Sequence, residues 1–422
     1  MPAALRRASP ARAAASRSTF PARAASRPAG CGSGAGVRSR GVGEVRRGEG
    51  EVVVTGVGVL SAFGVGVGAL MEAAYAGRSG FAPVRRFGVE GRRVRHAAVH
   101  PGSPVLADEL PRIIGLACDQ AGLSAAQRGR APLYLAVHGD PDLPRVPAHE
   151  RAAHGSDGFA RTVARRGGLS GAARAYTSAC VASSTAVADA AALVAHGRAE
   201  RIVVAGGYLV DADQFAVFDA GRALARDGRV RPFSAGRGGL LLGDAVVAAV
   251  VESAAAARER RAEPLARLAG WGRAGDAHHV CKPRPDGAGL ARAIGDALRR
   301  ARLRPERIGY VNAHGSGSPA GDTAEAAALH RAFGEAAADL PVSSTKSVHG
   351  QGLEAGALLE LVVTIAALRA GRLPVNAGWL GPDPDCRLGL VLDEPAPTTA
   401  AYGLSLTSAF GGANTALLVG TP

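Results

Sequence analysis

Buried strands and crossover helices recur in a similar order on either side of a short polar linker, and that recurrence limits the fold more than any other feature of the sequence. In the first round, Val52–Gly56 reads as a strand ending at glycine. Ala69–Ala76 and Pro111–Ala121 read as short helices, each followed by glycine, and Leu133–Val137 reads as a strand. Residues 138–170 carry several Pro and Gly and read as an irregular excursion. Ala182–Ala195 is then a helix of small apolar residues with Gly197 placed to cap it, and Arg201–Ala205 and Ala245–Glu252 are buried strands. Residues 254–264 are polar and Arg/Ala-rich, a linker. Beyond it come a helix at Leu290–Leu303, a strand at Ile308–Asn312, a helix at Gly356–Leu368, and strands at Gly403–Thr407 and Thr415–Val419. Strands mixed with crossover helices predict an α/β fold with buried sheets, divided into one half over residues 51–254 and a second over 265–422. Identity between the halves is too low for the letters alone to prove a repeat.

Composition excludes several classes. No run of 18 apolar residues occurs, so no transmembrane helix is expected. Of the fourteen net positive charges, eight fall in residues 1–50, where ten Arg stand against Glu44 and Glu49. That segment is rich in Ala, Arg, Ser, Gly and Pro without apolar period, and is expected to be a disordered extension. Arg-rich and nearly free of acid, it also resembles an organelle transit peptide; lacking an apolar core, it is not a secretory signal. After residue 50 the basic residues neither cluster on one helix nor alternate with aromatics, which argues against nucleic-acid binding. The five cysteines (31, 118, 180, 281 and 386) are odd in number and form no CxxC pair, so neither a zinc site nor a disulfide framework is expected. This usage suits a reducing cytoplasm.

Four segments carry chemistry. Cys180, in Thr177-Ser178-Ala179-Cys180, sits just before the helix at Ala182. Unpaired N–H groups and the positive end of a helix dipole lower a thiol pKa; the plainer reading is a buried structural thiol. His314 follows an apolar strand and opens the Gly/Ser loop Gly315-Ser316-Gly317-Ser318, a placement suited to facing a cleft. Lys346, in Ser343-Ser344-Thr345-Lys346-Ser347-Val348-His349-Gly350-Gln351, is one of only two lysines beside an excess of arginine. Such a position suits a compact ammonium ion, or chance. Phe410-Gly411-Gly412 reads as a tight turn lining a pocket.

In this order and at these spacings, the four segments resemble the β-ketoacyl synthase family. So do VVVTGVGVLSAFGVGVGALMEAAYAGRSGFAPVRRF at the start, AGGYLVDADQFAVFDAGRALARDGRVRPFS after the cysteine helix, and GDAHHVCKPRPDGAGLARAIGDAL before the histidine loop. The resemblance covers roughly residues 51–420. It implies a thiolase-like fold, two similar α/β halves in a five-layer αβαβα arrangement, acting as a homodimer or as a heterodimer with another ketosynthase-like subunit. Cys180 would take an acyl group from an acyl carrier protein and condense it with a malonyl-type thioester in fatty-acid or polyketide biosynthesis. The backbone N–H groups of Cys180 and Phe410 would form an oxyanion hole, with Phe410 also a gate. His314 would assist decarboxylation, and Lys346 and Glu360 would hold the site's hydrogen bonds. No metal or cofactor is implied.

The sequence departs from the family pattern where a second histidine is expected. Gln351 stands five residues after Lys346, and His349 occupies a usual Thr position. An amide donates hydrogen bonds but accepts no proton at pH 7. Gly243-Asp244-Ala245 replaces Gly-Glu-Gly, and Glu354 stands where Gly is expected. Two alternatives therefore remain open: an acyltransferase that skips decarboxylation, and a non-catalytic partner subunit like a chain-length factor, which would not need Cys180. A dinucleotide site at Gly56-Val57-Gly58 is rejected, because Ser61 stands where the third glycine is required.

Overall fold

Residues 246–251 are apolar at every position because the strand that holds them is buried on both faces. Val246, Ala248 and Val250 face one apolar cluster, and Val247, Ala249 and Val251 face another. The computed structural model describes residues 50–143, 146–151 and 154–422. The extension expected over 1–50 lies, except for Gly50, outside the described residues. The first half contains β1 (Val52–Ser61), α1 (Leu106–Gln120), β2 (Leu133–Val137), α2 (Ser156–Arg166), β3 (Ala173–Tyr176), α3 (Ala182–Ala195), β4 (Arg201–Tyr208) and β5 (Ala245–Ser253). The second contains β6 (Ala266–Gly275), α4 (Ala288–Ala301), β7 (Tyr310–Asn312), α5 (Pro319–Phe333), β8 (Pro341–Ser343), α6 (Leu353–Ala370), β9 (Tyr402–Ala409) and β10 (Ala413–Gly420).

The two halves share one topology. Strand order is β3-β2-β4-β5-β1 in the first and β8-β7-β9-β10-β6 in the second. In each, the first three strands are parallel and the last two joins antiparallel. The sheets meet where Val53 and Val54 of β1 pair with Arg267 and Ala266 of β6. The helices repeat as well: α1, α2 and α3 occupy the same places between strands as α4, α5 and α6. One apolar cluster lies under α1 and α2, another under α4 and α5, and the third surrounds α3 and α6 between the sheets. This is the five-layer α/β arrangement that the resemblance implied. α6, at its centre, buries 15 of its 18 residues, which explains a helix apolar on every side.

A Gly-x-Gly pair serves the same purpose in both halves. A side chain on Gly56 would come within 2.1 Å of Ala117 O in α1, and one on Gly272 within 1.8 Å of Ala293 O in α4. Gly56-Val57-Gly58 and Gly270-Trp271-Gly272 thus let a helix lie directly on the first strand of its half, a packing role rather than a phosphate cradle.

Some boundaries differ from expectation. α1 begins at Leu106 and carries Pro111 inside it. Proline cannot donate to the carbonyl four residues back, and that carbonyl, Ala107 O, accepts instead from Arg166 at 2.8 Å. The excursion over 138–170 contains α2, whose buried Phe159, Ala160, Val163 and Ala164 follow helical spacing. The linker over 254–264 opens with a short helix, Ala254–Glu259. No helix among the described residues is long and apolar enough to cross a membrane.

Candidate active site

The two central helices are fixed together at their N-terminal ends. Leu358 N–H donates to Ser183 Oγ at 3.0 Å, and Gly206 in β4 leaves room for Ala355, whose Cα would lie 2.9 Å from a side chain there. The chain enters α3 through a 3₁₀ turn, Ala179–Val181, with Ala179 at φ 51°. A non-glycine residue in this region carries about 1–2 kcal/mol of strain. The turn fixes Cys180, which is 9% exposed. Burial pushes its thiol up to about 11, with the charge of Glu354 adding to the rise and a hydrogen bond from Gln351 and the charge of Lys346 opposing it. The depressed pKa expected from the helix start is reversed: desolvation outweighs the dipole, and Cys180 rests as a thiol at neutral pH.

His314 is held through its backbone. Its N–H and that of Gly315 donate to the two carboxylate oxygens of Glu325 on α5, each at 2.7 Å. Lys346 Nζ donates to His314 O at 2.8 Å and forms a buried ion pair with Glu360. Burial, then the Lys346 charge, holds the imidazole well below its ordinary range, so it is neutral at pH 7. Its Nδ1 is buried without a partner. Burial pushes the carboxyls of Glu325 and Glu360 up to about 7, against the pull of Lys346 on each. Glu325 escaped the sequence reading. Its signal was an acid eleven residues after His314 on a helix otherwise rich in alanine.

Gln351 is buried beside the nucleophile. Its backbone bridges to the glycine-rich approach of β5, donating to Leu241 O at 2.7 Å and accepting from Gly243 N at 3.0 Å. Its amide group bonds the Cys180 thiol, which leaves Oε1 without a partner. His349 is no substitute for a second site histidine. Both ring nitrogens are engaged, Nδ1 with Gly350 O at 2.8 Å and Nε2 with Thr345 Oγ1 at 3.0 Å. Burial, then Lys346, pulls it down to about 3. A folded pKa below the unfolded value of about 6.5 means stability fully present above pH 6.5 and lost as pH falls toward 3. His349→Asn should therefore flatten the rise of unfolding free energy between pH 4.5 and 6.5 by about 1 kcal/mol per pH unit. Urea titrations of both proteins across that range check this.

Phe410 opens the turn between β9 and β10 and is 52% exposed, its ring 6.1 Å from that of Phe218. Gly411 and Gly412 adopt φ 83° and 73°, values that glycine tolerates. Asn414 Nδ2 donates to Asp276 Oδ1 at 2.8 Å and to Gly412 O at 3.2 Å, which ties the turn to β6. Cys180, His314, Gln351 and Phe410 all line one cavity of about 510 Å³, whose lining also includes Arg222, Lys282 and Arg284. Lys346 and Glu360 do not line it; they stand behind His314. The arrangement places a thiol, a neutral imidazole and an amide around one apolar-walled space, the parts of a covalent acyl-transfer site.

Known proteins share both the sequence and this architecture. Residues 145–257 match the model of the beta-ketoacyl synthase N-terminal domain, and residues 265–379 that of the C-terminal domain. A 3-oxoacyl-[acyl-carrier-protein] synthase 2 of Coxiella burnetii is 30% identical over 405 residues, 87% of this chain and 98% of the relative. Among solved structures, the ishigamide ketosynthase/chain length factor aligns at 28% identity with a TM-score of 0.81, and a beta-ketoacyl synthase from Burkholderia phymatum STM815 at 27% with the same score. Each covers 88% of this chain and 99% of its own. With two halves of one topology, a cysteine at the head of a central helix and a histidine facing it across the cavity, the chain belongs to the β-ketoacyl synthase family.

Proposed function

We propose that the chain is a condensing acyltransferase that loads an acyl group on Cys180 and extends it with a malonyl-type thioester in fatty-acid or polyketide biosynthesis. The observation that carries this reading is the meeting of Cys180, His314, Gln351 and Phe410 in one cavity. In the first half-reaction the Cys180 sulfur bonds the acyl carbon, the carbon–sulfur bond to the carrier breaks, and the thiol proton ends on the departing carrier sulfur. In the second, the extender loses carbon dioxide and its carbanion attacks the Cys180 thioester. The new carbon–carbon bond yields a 3-oxoacyl chain, and Cys180 regains its proton. Backbone N–H groups of Cys180 and Phe410 stabilise the tetrahedral oxyanion. Neutral His314 donates a hydrogen bond to the extender carbonyl as its enolate forms, and the amide of Gln351 is the second donor. Lys346, Glu360 and Glu325 position His314.

The name of the Coxiella relative supports an acyl carrier protein as the partner that delivers both thioesters. The domain limits at 51–254 and 265–422, assembly as a homodimer or with a second ketosynthase-like subunit, and a cytoplasmic setting belong to the same proposal. One observation favours a second reading: Gln351 cannot carry a proton, which suits acyl transfer without decarboxylation.

Intact-mass spectrometry with acyl- and malonyl-carrier proteins tests these readings. An adduct on Cys180 followed by an extended 3-oxoacyl carrier establishes condensation. An adduct without extension establishes plain acyl transfer, and no adduct establishes a non-catalytic subunit. Gln351→Leu should lower decarboxylation of the extender by about 10²-fold, the scale of losing one oxyanion donor. Release of carbon dioxide from labelled malonyl carrier measures it, and an unchanged rate removes Gln351 from that role.

A further inference from the structure

The segment between β6 and α4 forms part of the cavity wall and carries a thiol there. Cys281 is exposed and lines the same cavity as Cys180. The other thiols among the described residues, Cys118, Cys180 and Cys386, are buried. Hydrogen bonds hold the segment on both sides of Cys281. Cys281 N–H donates to His279 Nδ1 at 3.0 Å, Val280 O accepts from Gly411 N–H at 2.7 Å, and Arg284 N–H donates to Asp276 Oδ2 at 3.0 Å. Gly411 follows Phe410, and Asp276 Oδ1 accepts from Asn414, so Cys281 is tied to the turn that carries Phe410.

The rest of the lining indicates what can attach to that thiol. Arg222, Lys282 and Arg284 line the cavity with it. Arg284 is shared with Asp286, at 2.8 Å. Two carboxylates also line the cavity, and both are engaged: Glu325 by the N–H groups of His314 and Gly315, Asp276 by Arg284 N–H and Asn414. Cations in a cleft draw anions into it. Further along the wall, Gln351 is 2% exposed and its Oε1 lacks a partner, an acceptor open to an N–H group of an occupant. The cavity, at about 510 Å³, lies within the range of ~300–1,000 Å³ that holds small molecules. Exposed thiol, cationic lining and buried acceptor together suit an anionic disulfide that carries amide N–H groups, a peptide-type disulfide. Exchange needs both access and thiolate, and Cys180 is poor in both, being buried with its thiol pushed up to about 11.

Resting on the acyl-transfer reading of Cys180 and adding regulation to it, we propose that Cys281 is a thiolation site for a small anionic peptide disulfide, whose adduct plugs the cavity and halts loading of Cys180. The Cys281 sulfur, as thiolate, bonds one sulfur of the disulfide. The original sulfur–sulfur bond breaks, and the departing thiolate takes up the proton that Cys281 gave to water. The disulfide is the oxidant, and a free thiol reverses the step by the same exchange. Acyl loading is thereby coupled to the thiol–disulfide balance around the protein.

The test treats the reduced protein with oxidised glutathione at pH 8, follows intact mass and peptide maps, and then measures loading from a butyryl carrier protein. A glutathionyl group should appear on Cys281, loading should fall in proportion to the fraction modified, and dithiothreitol should restore it. The ethyl ester of the same disulfide, with its carboxylates masked, should react about 10-fold more slowly, the scale of electrostatic focusing in a charged cleft. Cys281→Ser should keep its own untreated loading rate after the same treatment, and Cys180→Ala should still be thiolated. Adducts on Cys180 in place of Cys281, full loading with Cys281 fully modified, or equal rates for the disulfide and its ester overturn the inference while leaving the acyl-transfer reading intact. A reduced protein that takes up no acyl group overturns that reading and the regulatory role with it, even where Cys281 is thiolated.

Discussion

A Cys180→Ala protein takes up no acyl group from a carrier thioester, a loss of more than about 10⁴-fold, the scale on which removing a covalent nucleophile acts. The fold survives the change. Cys180 rests as a neutral thiol, so its removal strands no charge, and trimming one small buried group costs about 1 kcal/mol. Thermal unfolding should thus shift by only a few degrees while the adduct disappears from the intact mass. The control lies in the same cavity. Among the described residues, Cys281 is the other thiol lining it, and it is exposed. An adduct that persists at full level in Cys180→Ala would place the acyl group on Cys281 or elsewhere and end the present assignment. The wild-type reaction should also quicken with pH well beyond neutrality, since a thiol pushed up to about 11 gains thiolate throughout that range. A loading rate flat from pH 7 to 10 would mean that the incoming thioester, rather than hydroxide, unmasks the nucleophile.

The parts of this site that could be read in the sequence are those whose signal is local. Cys180 precedes a helix of small residues and His314 follows an apolar strand, and both fall at those positions in the fold. Strands buried on both faces were legible as continuous apolar runs, and α3 matched its expected limits, because composition and length suffice there. Features that depend on partners distant in sequence were hidden. Pro111 lies inside α1 because Arg166, 55 residues later, takes the carbonyl it cannot serve. α2 was lost among prolines and glycines, although Phe159, Ala160, Val163 and Ala164 marked its buried side. The repeat showed in the sequence only as a recurring order of strands and helices, and the letters could not prove it, because what the halves share is strand order, which many sequences satisfy. The sign of the Cys180 pKa shift was missed for the same reason: helix position is local, whereas burial and the nearness of Glu354 arise from α6 packing against the cysteine turn.

Lys346→Met should destabilise the protein by about 3–5 kcal/mol at pH 8, the range for removing one partner of a buried ion pair. Lys346 and Glu360 are both almost fully buried, and the ammonium also supports His314 O at 2.8 Å. Glu360 already titrates near 7, because burial raises it and Lys346 pulls it back. Without Lys346 its folded pKa climbs further above the unfolded value of about 4.5. A carboxyl raised in this way contributes its stability below the unfolded pKa and loses it as pH rises through the folded one. At pH 5.5 Glu360 is protonated in both proteins, so the deficit there reduces to lost packing and one hydrogen bond. At pH 8 the wild type holds a paired carboxylate, whereas the variant must bury an unpaired one or bind a proton from a basic solution. Urea denaturation at the two pH values should show a deficit that grows with pH, and adding Glu360→Leu to the variant should recover most of it. A deficit of equal size at both values, unrelieved by the second change, would mean that Lys346 acts through shape rather than charge. Recovery of the fold in the double variant should not bring back extension, because the donor to His314 O is still missing and the imidazole that faces the extender is then held only through Glu325.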